Sequence, residues 1–157
     1  MEKELEVGDI VPEFNLPSDM GEDFLINEFK GKNIVIYFYP KDDTPGCTIE
    51  AKDFTCKIDE FEKANTIIVG ISKDSINKHE KFRSKYELKH QLLSDLDGKI
   101  CEMFNCWVEK SMYGKKYMGI ARKTFLIDAS GVIVKIWPNV KIPGHVDDVL
   151  SSIKGLK

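Results

Sequence analysis

Of the four cysteines in the chain, Cys47 stands in a setting suited to chemistry, at the end of Tyr39-Pro40-Lys41-Asp42-Asp43-Thr44-Pro45-Gly46-Cys47. The chemistry on offer is that of a thiolate, which is the nucleophilic form of the side chain. A cysteine at the start of a helix faces unpaired backbone N–H groups and the positive end of the helix dipole, and both favour the anion. Thr44, three residues earlier, can bring a hydroxyl beside the sulfur, where it can donate to the thiolate and orient an oxygen-bearing substrate. Pro40 is expected to shape the loop and shield the sulfur from bulk water. Position alone is equally compatible with a packed, inert cysteine.

The elements that must hold Cys47 are legible on either side of it. Ile34-Val35-Ile36-Tyr37-Phe38-Tyr39 is continuously apolar and rich in β-branched and aromatic residues, the pattern of a strand covered on both faces. After the turn-rich loop, Thr44 suits a helix N-cap and Pro45 the first helical position. Cys47, Ala51, Phe54, Ile58 and Phe61 then form one helical stripe, which predicts a helix running to about Lys63. Earlier, residues 8–17 and Glu22–Ile26 flank the turn Ser18–Gly21 and suggest an N-terminal hairpin.

Thr66–Ile71 reads as a second buried strand. Residues 75–88 read as an amphipathic helix with Ile76, Phe82 and Tyr86 inward. Gln91–Ser94 is a short strand, and Asp97-Gly98 opens a short helix. Residues 105–119 read as irregular. Thr124–Ile127 and Val132–Trp137 form a second hairpin, and a last helix turns Val146, Val149, Leu150 and Ile153 inward. The expected architecture is α/β: a central mixed sheet flanked by helices, in a single domain over residues 1–157.

Composition excludes several function classes. The 157 residues carry a formal net charge of -3 with both signs interspersed, so there is no electrostatic case for nucleic acid or an anionic membrane. No window reaches the roughly 20 apolar residues of a membrane span. Met1–Glu6 contains no apolar signal core, and a cytoplasmic location is expected. Cys47, Cys56, Cys101 and Cys106 match no standard zinc spacing and include no C-x-x-C pair, so neither a metal site nor a disulfide framework is expected. His79, His90 and His145 are scattered and carry no partner signal.

Pro40-x-x-x-Thr44-x-x-Cys47 resembles the active-site signature of the peroxiredoxins, and the run from Tyr39 to Ala51 resembles their bacterioferritin-comigratory-protein (peroxiredoxin Q) group. Gly8-Asp9-x-x-Pro12-x-Phe14, Leu92-Leu93-Ser94-Asp95, Gly119-Ile120-x-Arg122-x-Thr124-Phe125 and Gly144-His145-Val146 are similar to further blocks of that group, in order along the chain. The resemblance implies a thioredoxin-like fold, no cofactor, and reduction of hydrogen peroxide or organic hydroperoxides. It assigns Cys47 as the peroxidatic cysteine, Thr44 and Pro40 as loop residues of the site, and Arg122 as the activating arginine. It implies a monomer that takes electrons from thioredoxin or another thiol. A fixed guanidinium beside the sulfur suits the role, because it stabilises a thiolate and presents directional donors. Glu50 is expected either to orient Arg122 or to stand exposed in the first turn, where the dipole favours it.

The sulfenic acid formed at Cys47 must be reduced again. Many peroxiredoxin Q proteins carry a resolving cysteine five residues on, where this chain has Lys52; others carry it in the next helix, and residues 75–88 contain none. Cys56, nine residues on, falls on the opposite face of an intact helix about 13.5 Å along its axis. A disulfide needs Cα atoms within about 7 Å, so Cys56 resolves only if that helix unwinds. A one-cysteine cycle with an external thiol and resolution by Cys56, Cys106 or Cys101 therefore stay open, with a core position expected for the last two. Two other functions fit the residues: a peroxide-responsive redox sensor, and a thiol-disulfide oxidoreductase, against which the missing C-x-x-C speaks.

Overall fold

The computed structural model describes residues 4–156. Met1–Lys3, half of the polar opening segment, lie outside the described residues. In chain order the elements are β1 (Asn15–Leu16), β2 (Phe24–Leu25), a 3₁₀ turn (Ile26–Phe29), β3 (Asn33–Phe38), α1 (Pro45–Cys56), α2 (Ile58–Lys63), β4 (Thr66–Ser72), α3 (Ile76–Tyr86), β5 (Gln91–Ser94), α4 (Lys99–Met103), β6 (Trp107–Met112), β7 (Lys115–Ile120), β8 (Lys123–Ile127), β9 (Ile133–Trp137) and α5 (His145–Lys154).

The apolar run 34–39 becomes the middle strand of a five-stranded sheet in the order β5-β4-β3-β8-β9. β3 and β4 pair parallel, as do β4 and β5, while β8 runs antiparallel to both β3 and β9. The alternation along β3 divides the core into two layers. Ile34, Ile36 and Phe38 face a cluster completed by Phe14, Phe24, Ile100 and Phe104. Val35, Tyr37 and Tyr39 face the other cluster with Cys47, Ala51, Phe54, Phe61, Val149 and Ile153. The N-terminal hairpin and α4 thus cover one face of the sheet, and α1, α2, α3 and α5 cover the other. The mixed sheet between helices and the N-terminal hairpin agree with the expected architecture.

Three local expectations change. The long helix after Cys47 is two helices: a tightened turn, with the Lys57 N–H donating to the Phe54 carbonyl at 3.2 Å, separates α1 from α2. A 3₁₀-like step overwinds the chain by only about 20°, so Ile58 and Phe61 stay on the buried stripe despite the break. Residues 105–119 are not irregular: β6 and β7 pair over six positions, from Trp107↔Ile120 to Met112↔Lys115. Tyr113 and Gly114, at φ 52° and 77°, make the two-residue turn with both centres left-handed that suits the twist of a hairpin. Most of this ribbon is exposed, so the alternation that betrays a half-buried strand is missing.

The histidines are the third change, because all three are buried with partners. His90 Nε2 lies 2.6 Å from the Tyr37 hydroxyl and His145 Nε2 lies 2.8 Å from Thr124 Oγ1. His79 occupies the inward stripe of α3 beside Phe82, while Ile76 and Tyr86 are half-buried at its margins.

Candidate active site

β3 ends at Phe38, and the loop that follows, beginning with Tyr39, delivers Cys47 to the third position of α1. Thr48 makes the first intrahelical bond, its N–H donating to the Thr44 carbonyl at 2.9 Å. Gly46 and Cys47 therefore lie in the turn whose N–H groups have no intrahelical acceptor. Cys47 is 1% exposed and packs with Val35, Ala51 and the rest of the helix-covered cluster. Thr44 takes the extended N-cap conformation, yet its side chain caps nothing. Its hydroxyl donates to the Lys41 carbonyl at 2.9 Å. The expected donation to the sulfur is replaced by a bond that closes the loop, and the lone pairs of Oγ1 are what the hydroxyl has left to offer. Pro40 is exposed at the end of β3, so it bends the chain from the surface and gives no buried shield.

Arg122 stands directly before β8, the antiparallel neighbour of β3. One arm of its guanidinium, Nη2, donates to Cys47 Sγ at 3.3 Å, and the other, Nη1, donates to Glu50 Oε1 at 2.8 Å. Glu50 does not stand exposed: its side chain is fully buried against Arg122. Its second oxygen, Oε2, has no hydrogen-bond partner among the described residues. Burial pushes the Glu50 carboxyl up to about 7, against the opposing pull of Arg122. Gly46 makes this approach possible. A Cβ there would lie 3.1 Å from Ile142 Cδ1 and 3.3 Å from Arg122 Nη2, so the guanidinium occupies space that any larger residue would claim. The site thus joins a buried sulfur, a guanidinium aimed at it and open backbone donors. That arrangement suits attack on a small electrophile whose leaving atom gains negative charge.

Comparison with known proteins agrees with this geometry. The profile of the AhpC/TSA family matches residues 7–136. The chain is 49% identical to a putative peroxiredoxin bcp of Coxiella burnetii over 95% of this chain and 99% of that one. It is 45% identical to peroxiredoxin Bcp of Bacillus subtilis, over 97% of each. The chain belongs to the AhpC/TSA family and is a peroxiredoxin. Among solved structures, a cysteine-to-serine mutant of Xylella fastidiosa PrxQ superposes on the peroxiredoxin with a TM-score of 0.92 at 34% identity, covering 98% of both chains. The bacterioferritin comigratory protein of Xanthomonas campestris, whose alkyl peroxide reduction was studied through trapped intermediate and ligand complexes, superposes with a TM-score of 0.85 at 42% identity over 90% of both chains.

The other thiols of the peroxiredoxin sort by burial. Cys101 and Cys106 are fully buried in the cluster on the far face of the sheet, away from the one that holds Cys47. Burial pushes the Cys106 thiol up to about 12 and, with Asp95 adding to it, raises Cys101 further. Both match the core reading. Cys56 is exposed at the last residue of α1 and lies beside Asp53, Lys57 and Asp147. All four thiols are free, and no helix among the described residues is long and apolar enough to cross a membrane.

Two neighbours of the site escaped the sequence. Lys110 on β6 runs its stem across Gly119, where a Cβ would lie 3.2 Å from it, and burial, with the nearby Arg122 guanidinium, holds its ammonium below the ordinary lysine value. Its signal was hidden with the hairpin that carries it. Asp42, inside the loop itself, is buried and bonded to His79; a lone aspartate in a charged loop gives no hint of that.

Proposed function

We propose that Cys47 is the peroxidatic cysteine of this peroxiredoxin and that Arg122, Thr44 and the first turn of α1 form its peroxide site. The observation that carries the reading is the forked guanidinium, bonded at once to Cys47 Sγ and to buried Glu50. Glu50 fixes the plane of the fork, and a fork that cannot turn away keeps one donor on the sulfur.

The reaction follows from those atoms. The thiolate attacks the terminal oxygen of ROOH, an S–O bond forms and the O–O bond breaks. The sulfur loses two electrons and becomes Cys47 sulfenic acid, while RO⁻ leaves and takes a proton to give ROH. As negative charge moves from sulfur to the leaving oxygen, Arg122 Nη2 and the open N–H groups of the first turn are already in place to receive it. Thr44 acts on the other side of the exchange. Its proton is committed to the Lys41 carbonyl, so it accepts from the hydroperoxide O–H and turns the peroxide toward the sulfur. Pro40 holds the bend that starts the loop.

An external thiol completes the cycle. It condenses with the sulfenic acid to give a mixed disulfide and water, and a second thiol releases Cys47. Supporting this reading, Cys101 and Cys106 are buried in the opposite layer, and Cys56 is at the other end of α1. A thioredoxin-like dithiol is the reductant class that fits. The two core layers share one sheet, which supports a single domain; a monomer is the state that the family resemblance implies, and a cytoplasmic setting would keep its thiols reduced.

Peroxide consumption with dithiothreitol as reductant tests the assignment: it should disappear in Cys47→Ser and survive in Cys56→Ser. Turnover that persists in Cys47→Ser would falsify it. Intact mass after one equivalent of peroxide should show one added oxygen. A loss of two hydrogens would mean an internal disulfide and would sink the one-cysteine cycle.

A further inference from the structure

His79 is fully buried on the inner face of α3, and both of its ring nitrogens meet acceptors. Nδ1 lies 2.6 Å from Asp42 Oδ2, and Nε2 lies 3.0 Å from the Leu93 carbonyl of β5. A neutral imidazole has one N–H and one lone pair, so it satisfies one of these partners and turns a lone pair on the other. The imidazolium satisfies both. Asp42 is in turn fully engaged: its Oδ1 accepts from the Tyr39 hydroxyl at 2.6 Å, and its backbone N–H donates to Asp74 Oδ2 at 2.8 Å. Asp74 also accepts from Ser72 Oγ at 2.7 Å. The end of β3, the loop, the turn after β4, the helix α3 and the strand β5 all meet at this one group.

The other buried histidines show that this is particular to His79. His90 and His145 face hydroxyls, which accept or donate as needed, and burial holds them down to about 3 and about 4. No comparable freedom exists opposite a carboxylate and a carbonyl.

Resting on the peroxidase reading above, we propose that His79 is a positioning residue: a buried imidazolium pin that, through Asp42, holds the loop from Pro40 to Cys47 in the geometry that presents the sulfur to peroxide. The loop has a second tie to α3, from Asp43 to Lys85 at 2.9 Å and to the Tyr86 hydroxyl at 2.7 Å, but it lies at the surface, where water and salt compete with it. The buried pin is the one that resists salt.

The groups facing His79 are Asp42 from the loop, Asp74 from the turn after β4, and the Leu93 carbonyl from β5. Desolvation opposes the charge, and Asp42, Leu93 and Asp74 overcome it, so His79 holds its proton above the ordinary histidine value. The sign follows: the pin is complete below about 6.5, the unfolded histidine value, and is lost as pH rises through the folded one.

Long-range ¹H–¹⁵N NMR of the reduced full chain reads the His79 nitrogens without turnover, so it stands apart from any failure of the peroxidase reading. Both nitrogens should be protonated at pH 6.5; a single neutral tautomer there overturns the proposal. In stopped-flow oxidation by hydrogen peroxide, His79→Gln and Asp42→Asn should each slow Cys47 by about tenfold to a hundredfold, the range for a displaced reacting group. The double variant should be no slower than the worse single one. His79→Gln should also lack the alkaline fall in rate that follows the wild-type His79 titration. Unchanged rates, losses that multiply in the double variant, or an alkaline limb that survives His79→Gln would each overturn it.

Discussion

Gly46 sets how closely Arg122 can approach Cys47, and so a residue with no side chain governs a polar contact. A methyl group at position 46 would meet the guanidinium at 3.3 Å and Ile142 at 3.1 Å, both tighter than ordinary van der Waals contact. Arg122 cannot retreat without loss, because Nη1 is bonded to a carboxylate that is itself fully buried. Alanine also forms helix better than glycine, so at this N-terminal position it should not unfold α1. Gly46→Ala should therefore keep its thermal midpoint within a few degrees while the rate constant for Cys47 with hydrogen peroxide falls about tenfold, equivalent to about 1.4 kcal/mol of lost transition-state stabilisation. Stopped-flow kinetics beside circular dichroism separates the two. A rate equal to wild type would mean that the 3.3 Å contact contributes nothing to the attack.

At the scale of elements, the strands and helices that carry the site could be read in advance and their partners could not. The run 34–39 is apolar at every position because both faces of β3 are covered, and that pattern survives in sequence. Cys47 was legible as a candidate because a helix start is a local feature, while the role of Arg122 followed from the resemblance to the peroxiredoxins, and Glu50, which falls in the second turn of α1, was left between two expectations. The hairpin β6–β7 was not legible, because an exposed ribbon has no buried side to imprint a period of two, and its Tyr113-Gly114 turn lacks the usual Asn-Gly. The His79–Asp42 pair was not legible either: residues 37 apart meet only because β3 and β5 flank β4. Gly70 is a further case of long-range fit. It sits opposite Tyr37 in the parallel pair β3–β4, and a Cβ there would lie 2.7 Å from the Tyr37 ring. That ring is fixed by its bond to His90 and stacks on Phe54 of α1 at 4.7 Å. Gly70→Ala should destabilise the protein by about 1–3 kcal/mol, the usual cost of overpacking, read as a lower urea midpoint with an unchanged m-value. Unaltered stability would show that Tyr37 moves freely, contrary to its bonding.

Over the whole molecule, buried ionisable groups shape stability against pH, and their signs can be worked through one by one. His90 and His145 are held down to about 3 and about 4, in each case by burial first. As pH falls below about 6.5 the unfolded chain takes up protons that these two refuse in the fold, so stability drops. Glu50 acts oppositely. Its folded value of about 7 is above the unfolded value of about 4.3, so the fold holds a proton that the unfolded chain has released, and its contribution falls as pH rises toward 7. Between pH 4.5 and 6.5 two histidines outweigh one glutamate, and stability should climb by about 1.4 kcal/mol per pH unit for the one net proton. Above about 6.5 the sign reverses at His79, whose contribution is lost as pH passes its raised folded value. Beyond about 8.5, where free thiols ionise, Cys101 and Cys106 keep protons that the unfolded chain gives up, which steepens the decline. Urea unfolding from pH 4.5 to 10, with a reductant present, should therefore give a dome with its maximum near neutrality. His145→Gln should flatten the acid limb by one proton, because glutamine can still meet Thr124 but has no charge to refuse, while Cys106→Ala should soften the alkaline limb. An acid limb unchanged by His145→Gln would show that the histidine is protonated in the fold after all, and that the Thr124 hydroxyl serves it as an acceptor.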